Sequence, residues 1–300
     1  MRVFLTGATG FIGSRILPEL LARGHEVIGM TRSDDGARSL AAAGATPCRA
    51  TLEDPASVAA GVVRADAVIH TAFDHNFATF AANCEKDERV IAALGAELKG
   101  SDRPLMVTSG TGIGDAGGGQ PATEAITNFD HPNPRVASEL AVAKLLEDGV
   151  NARVMRLPQV HDTRRQGLIS PYIQISLQKG AMAYVGEGLN RWPAAHVLDV
   201  AALYAQTFDK GAPGSRFHAV AEEGIATRQI AEVLAEGLNL PAISIPPEEA
   251  GDHFGWFGGF AGLDMPASSA WTRAQTGWDP TGPGLIEDLR NMDYSVFAAA

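Results

Sequence analysis

Cysteine is scarce in this chain of 300 residues, which holds only Cys48 and Cys84. The two match neither a metal-ligand spacing nor a disulfide framework, so both are expected as buried thiols in a reducing compartment. Positive charge is short as well: 24 Lys and Arg face 35 Asp and Glu, a formal net charge of -11. That balance argues against nucleic acid or an anionic membrane as the main partner. An anionic cofactor is not excluded, because local backbone donors outweigh a distant net charge. No apolar run approaches the ~20 residues that span a bilayer, and the first strand begins at Arg2, leaving no room for a signal peptide. A soluble cytoplasmic protein is therefore expected. Tyrosine occurs four times, at Tyr172, Tyr184, Tyr204 and Tyr294, and none is followed four residues later by lysine.

With 45% hydrophobic and 20% charged residues, the chain can bury a large core and is neither disordered nor fibrous. Its most informative stretch is "MRVFLTGATGFIGSRILPELLARGHEVIGMTRS", which reads as strand, glycine turn, helix and strand. Gly7, Gly10 and Gly13 fit three separate needs: a tight turn, close approach of backbone to a pyrophosphate, and close helix packing. Free amides at the helix start suit the phosphates. Gly7, Thr9, Gly10, Phe11 and Ile12 are thus expected to contact a dinucleotide. A carboxylate at the end of the second strand would favour NAD. The chain instead reads "GMTRSDD", placing Arg32 near that point with Asp34 and Asp35 beyond it. A guanidinium suits a 2'-phosphate, so NADP is expected, with NAD as the alternative.

Further strands follow in alternation with helices, which points to an α/β fold with a parallel Rossmann-type sheet. Thr51 and Leu52 are expected beside the adenine, and Thr71, Ala72 and Phe73 at the end of "ADAVIHTAF". The same carboxyl edge gathers Thr108, Ser109, Gly110, Pro158 and Val160 into the expected ligand crevice.

"TGATGFIG", "DAVIHTA", "VTSG", "RLPQV", "RWPAAHVLDVAALY" and "SSAWTRAQTGWDPT" together resemble the extended short-chain dehydrogenase/reductase family, which includes sugar-nucleotide epimerases and dehydratases. The resemblance implies a serine or threonine after the fifth strand and a Tyr-x-x-x-Lys pair on the next helix. Ser109 matches the first, with Thr108 and Thr111 nearby. In "RVASE" the pair maps onto Arg135 and Glu139, a departure from the pattern. Arginine stays ionised and is a poor proton donor. Arg135 is read either as orienting substrate or as structural, and Glu139 as contacting the cofactor ribose or Arg135. His161, after "RLPQV", is the first candidate to move a proton, and Asp115 the second.

The Rossmann domain is expected over residues 1–165, with 192–220 returning to it, and a substrate lobe over 166–191 and 221–300. The resemblance of "AYVGEGLNRWPAAHVLDVAALY" implies Trp192 in a substrate-facing loop, with His196 and Asp199 holding that loop against the next helix; Thr227 is expected as a helix cap. The segment His253 to Phe260 is rich in aromatics for a chain with 7% of them; Trp256, with Phe73, Thr111, Trp192 and Met265, reads as a pocket wall. The lobe shows no basic cluster for a nucleotide-sugar diphosphate beyond Arg164, Arg165 and Arg191. The expectation is an NADP-dependent oxidoreductase acting on a small apolar or aromatic carbonyl compound or alcohol. The alternatives are a non-catalytic NAD(P)-binding sensor and an epimerase- or dehydratase-like enzyme. No metal is expected. A homodimer through the segment 77–98 and the helix starting near Pro134 is what the resemblance implies.

Overall fold

A computed structural model describes residues 1–297; the last three residues of the expected lobe lie outside the described residues. Alternating apolar strands and helices produce a seven-stranded, wholly parallel sheet. Its members are β1 (Arg2–Thr6), β2 (Glu26–Thr31), β3 (Thr46–Arg49), β4 (Ala67–His70), β5 (Leu105–Gly110), β6 (Ala152–Leu157) and β10 (Arg216–His218). They run in the order β10-β6-β5-β4-β1-β2-β3. The order reverses beside β1, so the crevice opens between the ends of β1 and β4.

Both faces are covered. On one, α1 (Gly13–Ala22) packs with α7 (Val197–Thr207), burying Ile16, Leu20, Val200 and Leu203. On the other lie α3 (Pro55–Val62), α4 (Phe80–Leu98) and α5 (Val136–Glu147), which bury Val58, Ile91, Leu94 and Val142. Each such side chain contributes roughly 1.5–3 kcal/mol. The helix expected from Phe77 starts at Phe80; Phe77–Thr79 form a 3-10 turn whose Ala78 amide is capped by Asn76.

The lobe is built on α6 (Ile169–Lys179), β8 (Met182–Val185), α8 (Thr227–Leu238) and β12 (Ala242–Ile245), the two strands pairing in parallel. A three-stranded sheet, β11-β9-β7, combines β7 (Gln159–His161), β9 (Arg191–His196) and β11 (Glu222–Ala226). Trp192 therefore lies in a strand rather than a loop, and it is 2% exposed within the lobe core. Pro193, next to it, cannot donate to a ladder. The strand tolerates it because the pairing with β11 shifts between Glu222 and Ile225, so Glu223 and Gly224 together oppose it in a bulge. Thr227 does not cap α8; its hydroxyl donates to Asn190 Oδ1 at 2.6 Å. His196 and Asp199 do hold chain: His196 Nδ1 accepts from the Leu198 amide, and Asp199 accepts from the Thr281 and Gly282 amides.

Candidate active site

The glycine turn has the shape a dinucleotide requires. Gly7 has φ +65°, and a Cβ there would meet the Ala72 amide at 2.9 Å. A Cβ on Gly13 would sit 2.2 Å from the Gly7 carbonyl. Only glycine allows the turn to close this tightly. Among the described residues, the Phe11 and Ile12 amides at the mouth of α1 meet no protein acceptor. They are available to a phosphate. Thr71, Ala72 and Phe73 continue from β4 directly across the turn, half-buried.

Beyond β2, Arg32 is exposed, and Ser33 caps α2 (Asp34–Ala42) by accepting the Gly36 amide. The two carboxylates that follow are engaged elsewhere: Asp34 faces Arg49 and Asp35 pairs with Arg38. Thr51 and Leu52 form a half-buried turn just past β3.

A buried polar relay links this crevice to α5. Thr6 Oγ1 accepts from the amides of Thr71 and Ala72, both at 3.1 Å, and lies 2.8 Å from His70 Nδ1. With both amides donating to it, the Thr6 hydroxyl donates to Nδ1, which places the ring proton on Nε2, 3.0 Å from Asp87 Oδ1. Asp87 Oδ2 accepts from Arg135 and Ser138, each at 2.7 Å. Burial alone would raise this carboxyl, but the Arg135 guanidinium and the bonds from His70 and Ser138 overcome it and hold the pKa at about 2. Arg135 also donates to the Thr108 carbonyl at 2.8 Å and lies 3.9 Å from the centre of the Phe73 ring. A fixed cation thus stands under the end of β5.

Glu139 is elsewhere. It is fully buried, bound in a fork by Arg156 at 2.6 and 3.0 Å and by Arg216 at 3.0 Å. Neither a ribose nor Arg135 is its partner. Arg135 pairs instead with Asp87, on another helix. The cation near the crevice is therefore Arg135, and four residues before it, in the loop, stands His131.

His131 lies in the loop leading to α5, half-buried, with its Nδ1 accepting the Asn133 amide at 3.1 Å. That bond leaves the proton on Nε2, which lies 3.9 Å from where a Gly112 Cβ would stand, in the turn just after β5. Burial lowers its pKa and Asp115 partly opposes this, so the ring is neutral near pH 7. Asp115 itself accepts the Gly117 amide. Ser109 and Thr111 stand at the entrance to the same turn, and the Ser109 hydroxyl is buried with no partner among the described residues. An orphaned hydroxyl beside a crevice fits a site completed by ligand.

His161 is fully buried, with Nδ1 2.6 Å from Asp288 and the ring edge-on to His196. It has no exposed surface to offer a substrate. Val160 packs in the sheet core, while Pro158 is half-buried between β6 and β7. The tyrosines offer no replacement donor: burial raises Tyr172, Tyr204 and Tyr294, while Tyr184 stacks with Arg228 in the lobe. Trp256 is 43% exposed and stacks on Phe77, at the mouth of the crevice.

The model of the NAD dependent epimerase/dehydratase family matches residues 3–219. An uncharacterized protein of Schizosaccharomyces pombe is 43% identical over 295 residues, 98% of this chain and 100% of that protein. The 2-alkyl-3-oxoalkanoate reductase of Stenotrophomonas maltophilia is 26% identical over 227 residues, 72% of this chain and 67% of that protein. Among solved structures, a double mutant of the dTDP-glucose 4,6-dehydratase of Streptomyces venezuelae, with NAD bound, superposes with a TM-score of 0.77 at 18% identity. That match covers 99% of this chain and 97% of the other. From the glycine turn to the last strand of the parallel sheet, the chain belongs to the NAD-dependent epimerase/dehydratase family, an enzyme family that binds a nicotinamide dinucleotide.

Proposed function

We propose that the protein is an NADP-dependent reductase of small carbonyl compounds that carry an apolar or aromatic group. The observation that carries this reading is the pair of donors at the end of β5: the unpartnered hydroxyl of Ser109 and the Nε2–H of His131 beside Gly112. Two fixed donors suit a carbonyl oxygen that becomes negative during reduction. When bound, the dinucleotide supplies the hydride. Ser109 and His131 hold the oxygen, and Arg135, locked by Asp87 and the Thr108 carbonyl, adds a fixed positive charge nearby. A neutral imidazole serves as a hydrogen-bond donor here without giving up its proton, which water then supplies.

Support for reduction over epimerisation comes from the apolar surface that Phe73, Phe77 and Trp256 present. Of the three arginines near the lobe, Arg191 is paired with Asp264, while Arg164 and Arg165 are exposed and pair with no acid among the described residues. The similarity to an oxoalkanoate reductase points the same way. Exposed Arg32, with Asp34 and Asp35 drawn to other arginines, supports NADP over NAD.

The test is steady-state NADPH oxidation over a panel of aryl and alkyl ketones. Ser109→Ala and His131→Ala should each lower kcat by about a hundredfold, the usual size for a lost oxyanion donor, with cofactor Kd unchanged. His131→Gln, which keeps a side-chain N–H, should recover part of the loss. Full activity in both alanine variants would remove the two-donor assignment.

A further inference from the structure

Phe77 belongs to the Rossmann part and Trp256 to the lobe, yet their rings stack face to face, with centroids 4.3 Å apart and planes 8° apart. Phe77 leans on Phe80, and Phe80 meets Phe73, the ring that covers Arg135. The stack therefore closes over the crevice at the end nearest the donors. Trp256 keeps 43% of its surface exposed, while its neighbours Phe254 and Phe257 are buried in the lobe core. The core fixes the segment on both sides and leaves the indole projecting outward.

The segment that carries the indole is rich in glycine. Gly251, Gly255 and Gly259 flank the indole, and a Cβ at any of them would meet nothing within 4 Å. Packing does not demand glycine there, and Gly255 has φ +59°, a conformation other residues avoid. Phe77 likewise sits in a single 3-10 turn rather than within a long helix. Phe77 also meets His75, Phe80 and Phe260, and Trp256 meets Phe257 and Phe260, but the face-to-face contact between the two parts is the Phe77–Trp256 pair, and another flat ring can replace Phe77 in it.

We propose that Phe77 and Trp256 form an aromatic port over the crevice, shut by their own stack in the free protein. A planar apolar part of the substrate opens it by taking the place of Phe77 against the indole. This deepens the reductase reading and rests on it only for the position of the substrate. The port selects flat rings over saturated groups of the same size, because a saturated ring cannot replace a face-to-face stack.

The full chain labelled with 5-fluorotryptophan gives four 19F resonances, from Trp192, Trp256, Trp271 and Trp278; Trp256→Phe assigns the one that matters. Phe77→Leu should move the Trp256 resonance in the free protein while the other three report an intact fold. In NADP-saturated wild-type protein, 1-acetonaphthone should move the same resonance, and cyclohexyl methyl ketone should not. A Trp256 resonance unmoved by Phe77→Leu or by 1-acetonaphthone, or moved equally by both ketones, overturns the port. NADPH oxidation measured in parallel separates the two claims. Reduction of 1-acetonaphthone with a silent Trp256 sinks the port and leaves the reductase. A moving Trp256 with no oxidation keeps the port and sinks the reductase.

Discussion

Replacing Asp87 with asparagine removes the one negative charge in the relay that joins the crevice to α5. In the folded protein the carboxyl sits at about 2 instead of 3.8, a depression of roughly 1.8 pH units. At about 1.4 kcal/mol per unit, that is on the order of 2 kcal/mol of stability at neutral pH. Leaving Arg135 as a partly buried cation without its partner adds to the loss, and 3–5 kcal/mol is the usual range for breaking a buried pair. The sign is fixed by the direction of the shift. A carboxyl depressed on folding contributes fully above its unfolded value, and the contribution drains away as pH falls from about 4 toward 2. Urea unfolding followed by circular dichroism at pH 7, 5, 4 and 3 should therefore show a gap of about 3 kcal/mol between wild type and Asp87→Asn at pH 7 and 5. The gap should narrow at pH 3. Other carboxyls titrate in both proteins and cancel in the difference. A gap under about 1 kcal/mol at pH 7, or one that does not change with pH, would refute the relay.

Arg32→Ala should weaken NADP binding by about tenfold, near 1.4 kcal/mol, and leave NAD unchanged; equal effects in fluorescence titrations would remove the phosphate role. Glu139→Lys places a lysine where the family resemblance implies one, but it buries a cation beside Arg156 and Arg216. It should give insoluble or unfolded protein on size-exclusion chromatography, and a folded, active variant would show that Glu139 faces the crevice after all.

The parallel sheet and the glycine turn were legible because local patterns determine them: short apolar strands, helical periodicity, and three glycines at spacings that only one kind of turn needs. The candidate site was legible in part. Ser109 and Arg135 follow from their places in the chain, but the partner of Glu139 does not. Residues four apart share a helix face, so periodicity cannot tell Arg135 from Glu139. The signal lay in another strand: Arg156, in the middle of an apolar β6, needs a buried counterion, and Glu139 is the residue that reaches it. With Glu139 held by Arg156, the cation near the crevice is Arg135, and His131 stands four residues before it. Asp87 was invisible in sequence for a similar reason: it is one of four acids in α4, with Glu85, Glu88 and Glu97, and the partners that set it apart lie on β4 and at the start of α5. Trp192 was placed in a loop by resemblance alone; its strand includes Pro193, whose missing amide is absorbed by a bulge that no local pattern announces.

The central claim is that hydride leaves the cofactor for good, where an epimerase or dehydratase would return it. NADPH carrying deuterium on the carbon that gives up hydride, incubated with the enzyme and 1-acetonaphthone, distinguishes these by mass spectrometry of the product. The account predicts an alcohol carrying one deuterium, formed in equal amount to the NADP produced, and a large drop in that product with Ser109→Ala and His131→Ala. A product free of deuterium, or a cofactor left unconsumed across the ketone panel, would contradict it.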